Sequence, residues 1–160
     1  MPTYPTTTAL QRWQAACPVP ALPRRLGAGG VIPFVALPFL AWVDPANRPL
    51  YLSAQAAYGA VILSFVGALH WALAMTADTA APALRRGLYL WSVVPALLGW
   101  VALLLPLAGS LSLLLAGLGL QWLRDSRVVA RLALPPWYLT LRTTLTLGAG
   151  SGLAAGLWLA

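Results

Sequence analysis

The chain has 160 residues, 60% of them hydrophobic and 8% charged, with a mean hydropathy of +0.78, and a soluble domain of that length needs far more polar surface. Its charge comes from ten arginines against three aspartates, with no lysine and no glutamate, for a net +7. In a soluble protein that balance suits nucleic acid, but arginines flanking apolar runs set orientation in a bilayer, so no nucleic-acid partner is expected.

Residues 1–25 are rich in Thr and Pro, free of acids, and carry Arg12, Arg24 and Arg25. They lack the apolar core of a signal peptide and read as a flexible polar tail; in a eukaryote the same composition is that of a transit peptide. Cys17 is the single cysteine, which excludes an intramolecular disulfide framework. Residues 26–160 read as one all-α transmembrane domain of five helices. Span one, Leu26 to Val43, contains Pro33 and Pro38, which lipid tolerates where neighbours satisfy the freed carbonyls. The turn-rich loop Asp44-Pro-Ala-Asn-Arg-Pro49 ends it. Span two, Leu52 to Met75, has no charged residue, and at ~1.5 Å per residue it suits a hydrocarbon core of ~30 Å.

A polar connection with Asp78, Arg85 and Arg86 leads to span three, Leu88 to Leu105, which contains Pro95. A hinge at Pro106 opens span four, 107–123, which is short for a bilayer unless the hinge joins it. Arg124, Arg127 and Arg131 follow; in a helix they form one basic stripe against anionic headgroups, worth ~1 kcal/mol per Arg. Pro135-Pro136 breaks the chain, and Trp137-Tyr138 supplies an interfacial aromatic pair for span five, 138–160. Trp13, Trp42, Trp91 and Trp122 also fall near span ends, whereas Trp71 and Trp100 are more interior and expected to pack.

Arginines counted by connection give the orientation. Nine fall on one side of a five-span domain and only Arg48 on the other. The positive-inside rule then places the N-terminus in the cytoplasm and the C-terminus in the periplasm.

Two rows of small residues are expected at close helix contacts. Gly59 and Gly67 share a face of span two with Ala56, Leu63 and His70 at ~100° per residue. Gly148, Gly152 and Gly156 recur every four residues on span five, as small-residue packing ridges do.

The topology also brings His70, Asp125 and Arg142 to a similar depth on the cytoplasmic side, framed by Trp71, Trp137 and Tyr138. Asp125, read as ending span four, opposes the helix dipole and needs a cation. Two readings of this polar cluster stay open, a structural one in which each group finds the nearest partner and a functional one. With one His and a distant Cys, neither metal nor haem is expected. No catalytic constellation or cofactor motif is visible, and without lysine a Schiff base is excluded.

Four blocks in order, Gly27-Ala-Gly-Gly-Val-Ile-Pro-Phe34, Tyr58 through Gly67 to His70-Trp71, Val94-Pro95-Ala-Leu-Leu-Gly-Trp100 and Pro136-Trp-Tyr-Leu-Thr-Leu-Arg142, resemble the uncharacterised transmembrane-protein-69-like family. Those are small multi-span proteins of bacterial inner membranes and mitochondria, and the resemblance covers most of Gly27 to Leu153. It implies a helical membrane protein and brings no activity with it. Relatives with Arg in place of His70 imply a polar structural or lipid-contact role there rather than metal ligation. An arginine-rich chain without lysine points to a GC-biased genome and hence the bacterial branch.

The resulting expectation is a non-enzymatic accessory or assembly protein of the inner membrane, mitochondrial if the chain is eukaryotic. Its expected partners are membrane lipids, including anionic headgroups, and another membrane protein or a second copy. The alternative is a small solute or ion transporter or channel, dimeric, with a polar site near His70.

Overall fold

The computed structural model describes residues 19–77, 81–132 and 134–160, all in helices and short connections. Five long helices follow one another: α1 (Ala21–Val43), α2 (Arg48–Thr76), α3 (Pro82–Leu103), α4 (Leu107–Leu132) and α5 (Pro136–Leu159), with one 3-10 turn, Pro45–Asn47, before α2. Arg12, Trp13, Cys17 and Asp78 lie outside the described residues. Of the expected polar tail, Arg24 and Arg25 belong to the first turns of α1.

Proline stands at or beside the start of each of these five helices: Pro20 caps α1, Pro106 precedes α4, and Pro49, Pro82 and Pro136 occupy the first positions of α2, α3 and α5. Its fixed φ is preset for the helix, and its missing N–H is one that the first turn leaves unpaired anyway. Helices α1 to α4 are long and apolar enough to cross a membrane. The 24 residues of α5 match them in length, but Thr140, Arg142, Thr143, Thr144 and Thr146 make its first half more polar.

The helices run alternately up and down, as contacts along their lengths demonstrate. Ala41 meets Arg48 and Phe34 meets Gln55, so α1 and α2 are antiparallel. Arg85 reaches Ala74 and Pro95 packs on Gly67, so α2 and α3 are antiparallel too. Helix α5 packs on α4 in the opposite sense, through Trp122 to Thr143, and alongside α1 in the same sense. The core cluster of Phe34, Leu63, Leu111, Leu114 and Leu153 joins α1, α2, α4 and α5.

Lipid tails are as apolar as leucine, so helix association in a membrane rests on close packing and interhelical hydrogen bonds. Pro95 projects its ring into the notch at Gly67, where a Cβ would lie 2.7 Å from Pro95 Cγ. At the opposite end Arg48 Nε donates to the Ala41 carbonyl at 3.2 Å, one of the last carbonyls of α1.

Two features differ from the sequence reading. Helix α4 does not stop near Leu123 but continues to Leu132, because Gln121, Asp125 and Val128, spaced four and three apart, all turn into the bundle. Asp125 is therefore inside a helix, and the dipole argument at a helix end does not apply to it. Trp71 and Trp100, expected to pack, are 49% and 61% exposed on the bundle's outer face; Trp71 keeps an edge contact with Tyr89 at 5.3 Å between ring centres.

Candidate functional site

The same face that prolongs α4 assembles a polar cluster inside the apolar bundle. Asp125 is 2% exposed, Arg142 7%, and both His70 and Gln121 are fully buried. Arg142 Nε, from α5, donates to Asp125 Oδ2 at 2.7 Å, a charge-assisted bond at the short end of its range. Gln121, one turn before Asp125, donates from Nε2 to Asp125 Oδ1 at 3.0 Å.

The orientation of the Gln121 amide follows from Trp91 on α3. An indole N–H only donates, and Trp91 Nε1 lies 2.9 Å from Gln121 Oε1, so that atom is the carbonyl oxygen. The amide nitrogen then faces His70 Nδ1 at 3.3 Å and the Val66 carbonyl at 3.4 Å. An amide NH2 has two hydrogens and one is on Asp125, which leaves the other for His70 Nδ1 or the Val66 carbonyl. His70 Nε2 lies 3.5 Å from Asp125 Oδ1 without a hydrogen bond. Four helices thus meet through five side chains.

Of the residues read as one cluster, the structure brings His70, Asp125 and Arg142 together. Trp137 and Tyr138 lie one turn or more before Arg142, with ring centres 6.3 Å apart, and line a cavity beside it. Trp71 points away from His70, as adjacent helical residues do. The spacing argument passed over Gln121 and Trp91. An amide four residues before a buried aspartate, in an otherwise apolar run, is the signal for the first; Trp91 has none beyond its place near a span end.

Arg124 stands apart from the basic stripe. Its guanidinium carbon lies 5.5 Å from the Trp91 ring centre, and Nη2 donates to the Gly87 carbonyl at 3.3 Å. Arg127 and Arg131 are exposed.

The glycine rows are placed as follows. Gly59 faces Leu114 and Phe34, and Gly67 faces Pro95. On α5, Gly148 lies against Val31, Gly152 against the Phe34 carbonyl, and Gly156 against the Gln55 amide. Gln55 is a second buried polar centre, in the half of the bundle away from His70. Its Nε2 donates to Phe34 O at 3.1 Å and Gly152 O at 2.8 Å, tying α2 to α1 and α5. The Phe34 carbonyl needs that donor, because Pro38 has no N–H to give it.

Chemically, the cluster holds one carboxylate, one guanidinium and one imidazole, with the carboxylate already engaged. One nitrogen and one carboxylate do not make the donor set of a closed zinc site. What the arrangement does is cross-link helices in a medium without competing water.

The family model of a protein of unknown function, DUF3429, matches residues 19–158. The chain belongs to this family, that of the transmembrane-protein-69-like proteins. It is 38% identical to transmembrane protein 69 of Xenopus tropicalis over 143 residues, covering 88% of this chain and 54% of the relative. Against the Mus musculus protein of the same name, identity is 31% over 133 residues, covering 81% and 52%. The chain thus spans about half the length of the curated relatives it matches. No solved structure matches it. In this transmembrane-protein-69-like chain, the matched region contains the five helices of the described residues except the last residue of α5.

Proposed function

We propose that this membrane protein is a non-enzymatic accessory or assembly protein of the bacterial inner membrane, or of the mitochondrial inner membrane in a eukaryote, that acts by packing against lipids or other membrane helices. The observation that carries the proposal is the cross-linking of four helices by buried side chains: Asp125 is engaged by Arg142 and Gln121, and Gln121 also meets His70 and Trp91. A transport site has to bind its solute and release it, whereas the Asp125 carboxylate is already held by two donors from its own chain, and such bonds fix the positions of helices.

An N-terminus in the cytoplasm and a C-terminus in the periplasm complete the proposal. Arg24, Arg25, Arg85, Arg86, Arg127 and Arg131 belong to one end of the helices and Arg48 to the other, which supports that orientation.

Purification in native lipid with identification of what co-purifies tests the role. A stoichiometric membrane-protein partner is expected. Ion or solute flux in proteoliposomes that Asp125→Asn abolishes would overturn the role in favour of transport. For orientation, a cysteine at Asn47 in a Cys17-free chain is expected to react with an impermeant reagent from the periplasm. Reaction from the cytoplasm alone would reverse the assignment.

A further inference from the structure

A cavity of about 490 Å³ opens between α1, α2 and α5, within the usual size of small-molecule sites, ~300–1,000 Å³. It runs from Pro23 and Trp137, at the arginine-rich end, to Phe34 and Ala149. Along α1 the step from Pro23 to Phe34 is ~16 Å at ~1.5 Å per residue. Its walls are mainly apolar, with Leu26, Ile62, Phe65 and Leu145 among them. The charged residue on the wall is Arg142, one turn from Tyr138.

Arg142 is not exhausted by the Asp125 pair. Its Nη2 is buried and has no hydrogen-bond partner among the described residues. A cationic N–H without an acceptor is costly, and more so where no water can reach it. Arg142 also lines the cavity, so an oxygen acceptor for its guanidinium can enter along the apolar walls.

We infer that this cavity holds one anionic phospholipid, with a phosphate oxygen on the Arg142 guanidinium and an acyl chain along the apolar walls. The guanidinium fork suits phosphate oxygens. A free phosphate would leave the apolar walls uncovered, whereas a lipid fills them. Arg24 and Arg25, beside Pro23 and Leu26 at the mouth, disfavour the ammonium group of a zwitterionic headgroup and favour a net negative one. The site deepens the lipid-contact part of the proposed function and rests on that reading.

The test is native mass spectrometry of the full chain, delipidated and then exposed to detergent micelles with equal phosphatidylglycerol and phosphatidylcholine of identical acyl chains. One retained phosphatidylglycerol is expected, preferred about tenfold, as a charge-assisted hydrogen bond allows. Gly30→Leu fills the cavity without touching the Asp125 pair, since a Cβ at Gly30 meets only Tyr58 Oη at 3.8 Å; it should abolish retention. Gly29→Leu, where a Cβ meets nothing within 4 Å, should retain the lipid. The paired variant Asp125→Asn with Arg142→Gln removes the guanidinium without stranding the carboxylate and should erase the headgroup preference.

Equal retention of the two lipids by the wild type would overturn the site, as would undiminished retention in Gly30→Leu. Displacement of the lipid by soluble glycerol phosphate would assign the site to a free anion instead. A co-purifying partner without lipid selectivity would remove the site and leave the accessory role standing, so the two failures are distinguishable.

Discussion

Arg142 Nε donates to Asp125 Oδ2 at 2.7 Å with both residues buried, joining α4 to α5. Removing one partner of such a pair strands the other charge, at a cost of roughly 3–5 kcal/mol. Asp125→Asn and Arg142→Gln should each lower thermal stability in detergent. The double variant should lose less than the sum of the two. His70→Gln, which keeps hydrogen-bonding capacity, should cost less than either. Strictly additive losses in this cycle would count against a coupled pair.

Gln55 and Pro38 are coupled through a carbonyl that neither owns. Pro38 removes the helical donor to Phe34 O, and Gln55 Nε2 replaces it at 3.1 Å. Gln55→Leu should destabilise the protein by about 1–3 kcal/mol, the range for a buried polar group left unsatisfied. In a Pro38→Ala background, where the backbone N–H is restored, the same substitution should cost less. An equal cost in both backgrounds, read from thermal melts, would separate Gln55 from the proline.

At Gly152 a Cβ would fall on the Phe34 carbonyl, part of the backbone of α1, which has little room to move. Gly152→Ala should therefore cost about 1–3 kcal/mol, the range for overpacking. By contrast, a Cβ at Gly29 meets open space, and Gly29→Ala should be neutral or stabilising through helix propensity. Melting temperatures that fail to separate the two variants would rule out a close α1–α5 contact at Gly152.

Asp44 lies in the loop after α1, outside the spans. The Asn47 side chain, at 2.9 Å, and then Tyr51 Oη, at 3.1 Å, hydrogen-bond its carboxylate and hold its pKa below the ordinary value. A carboxyl depressed in the fold contributes stability above its unfolded pKa, about 3.9, and that contribution is lost as pH falls through the lower folded value. Asn47→Ala should raise the Asp44 midpoint, followed by carbon NMR in micelles, more than Tyr51→Phe does. The reverse order would refute the assignment of Asn47 as the stronger cause.

How much of the site could be read from the sequence differed residue by residue. Alternating apolar runs brought His70, Asp125 and Arg142 to one depth, since depth follows from counting residues at a fixed rise. Depth does not fix azimuth, so the same count put Trp71 into the cluster although it turns outward. Gln121 and Gln55 went unassigned because an amide's role depends on which carbonyls or rings lie opposite it, and those belong to helices 21 to 97 residues away.

Composition and the positions of proline and charge by themselves determined an all-α membrane bundle with helices of bilayer length, because lipid admits few ways to satisfy a backbone. Periodicity also marked the glycine rows. Only the tertiary structure decided that α4 continues to Leu132, that Gln55 serves the carbonyl freed by Pro38, and that Arg142, on a cavity wall, gives Nε to Asp125 and leaves Nη2 without a partner among the described residues. Each of these depends on contact between distant segments, where a hydrogen bond forms or fails within a few tenths of an ångström, and no one-dimensional pattern carries that information.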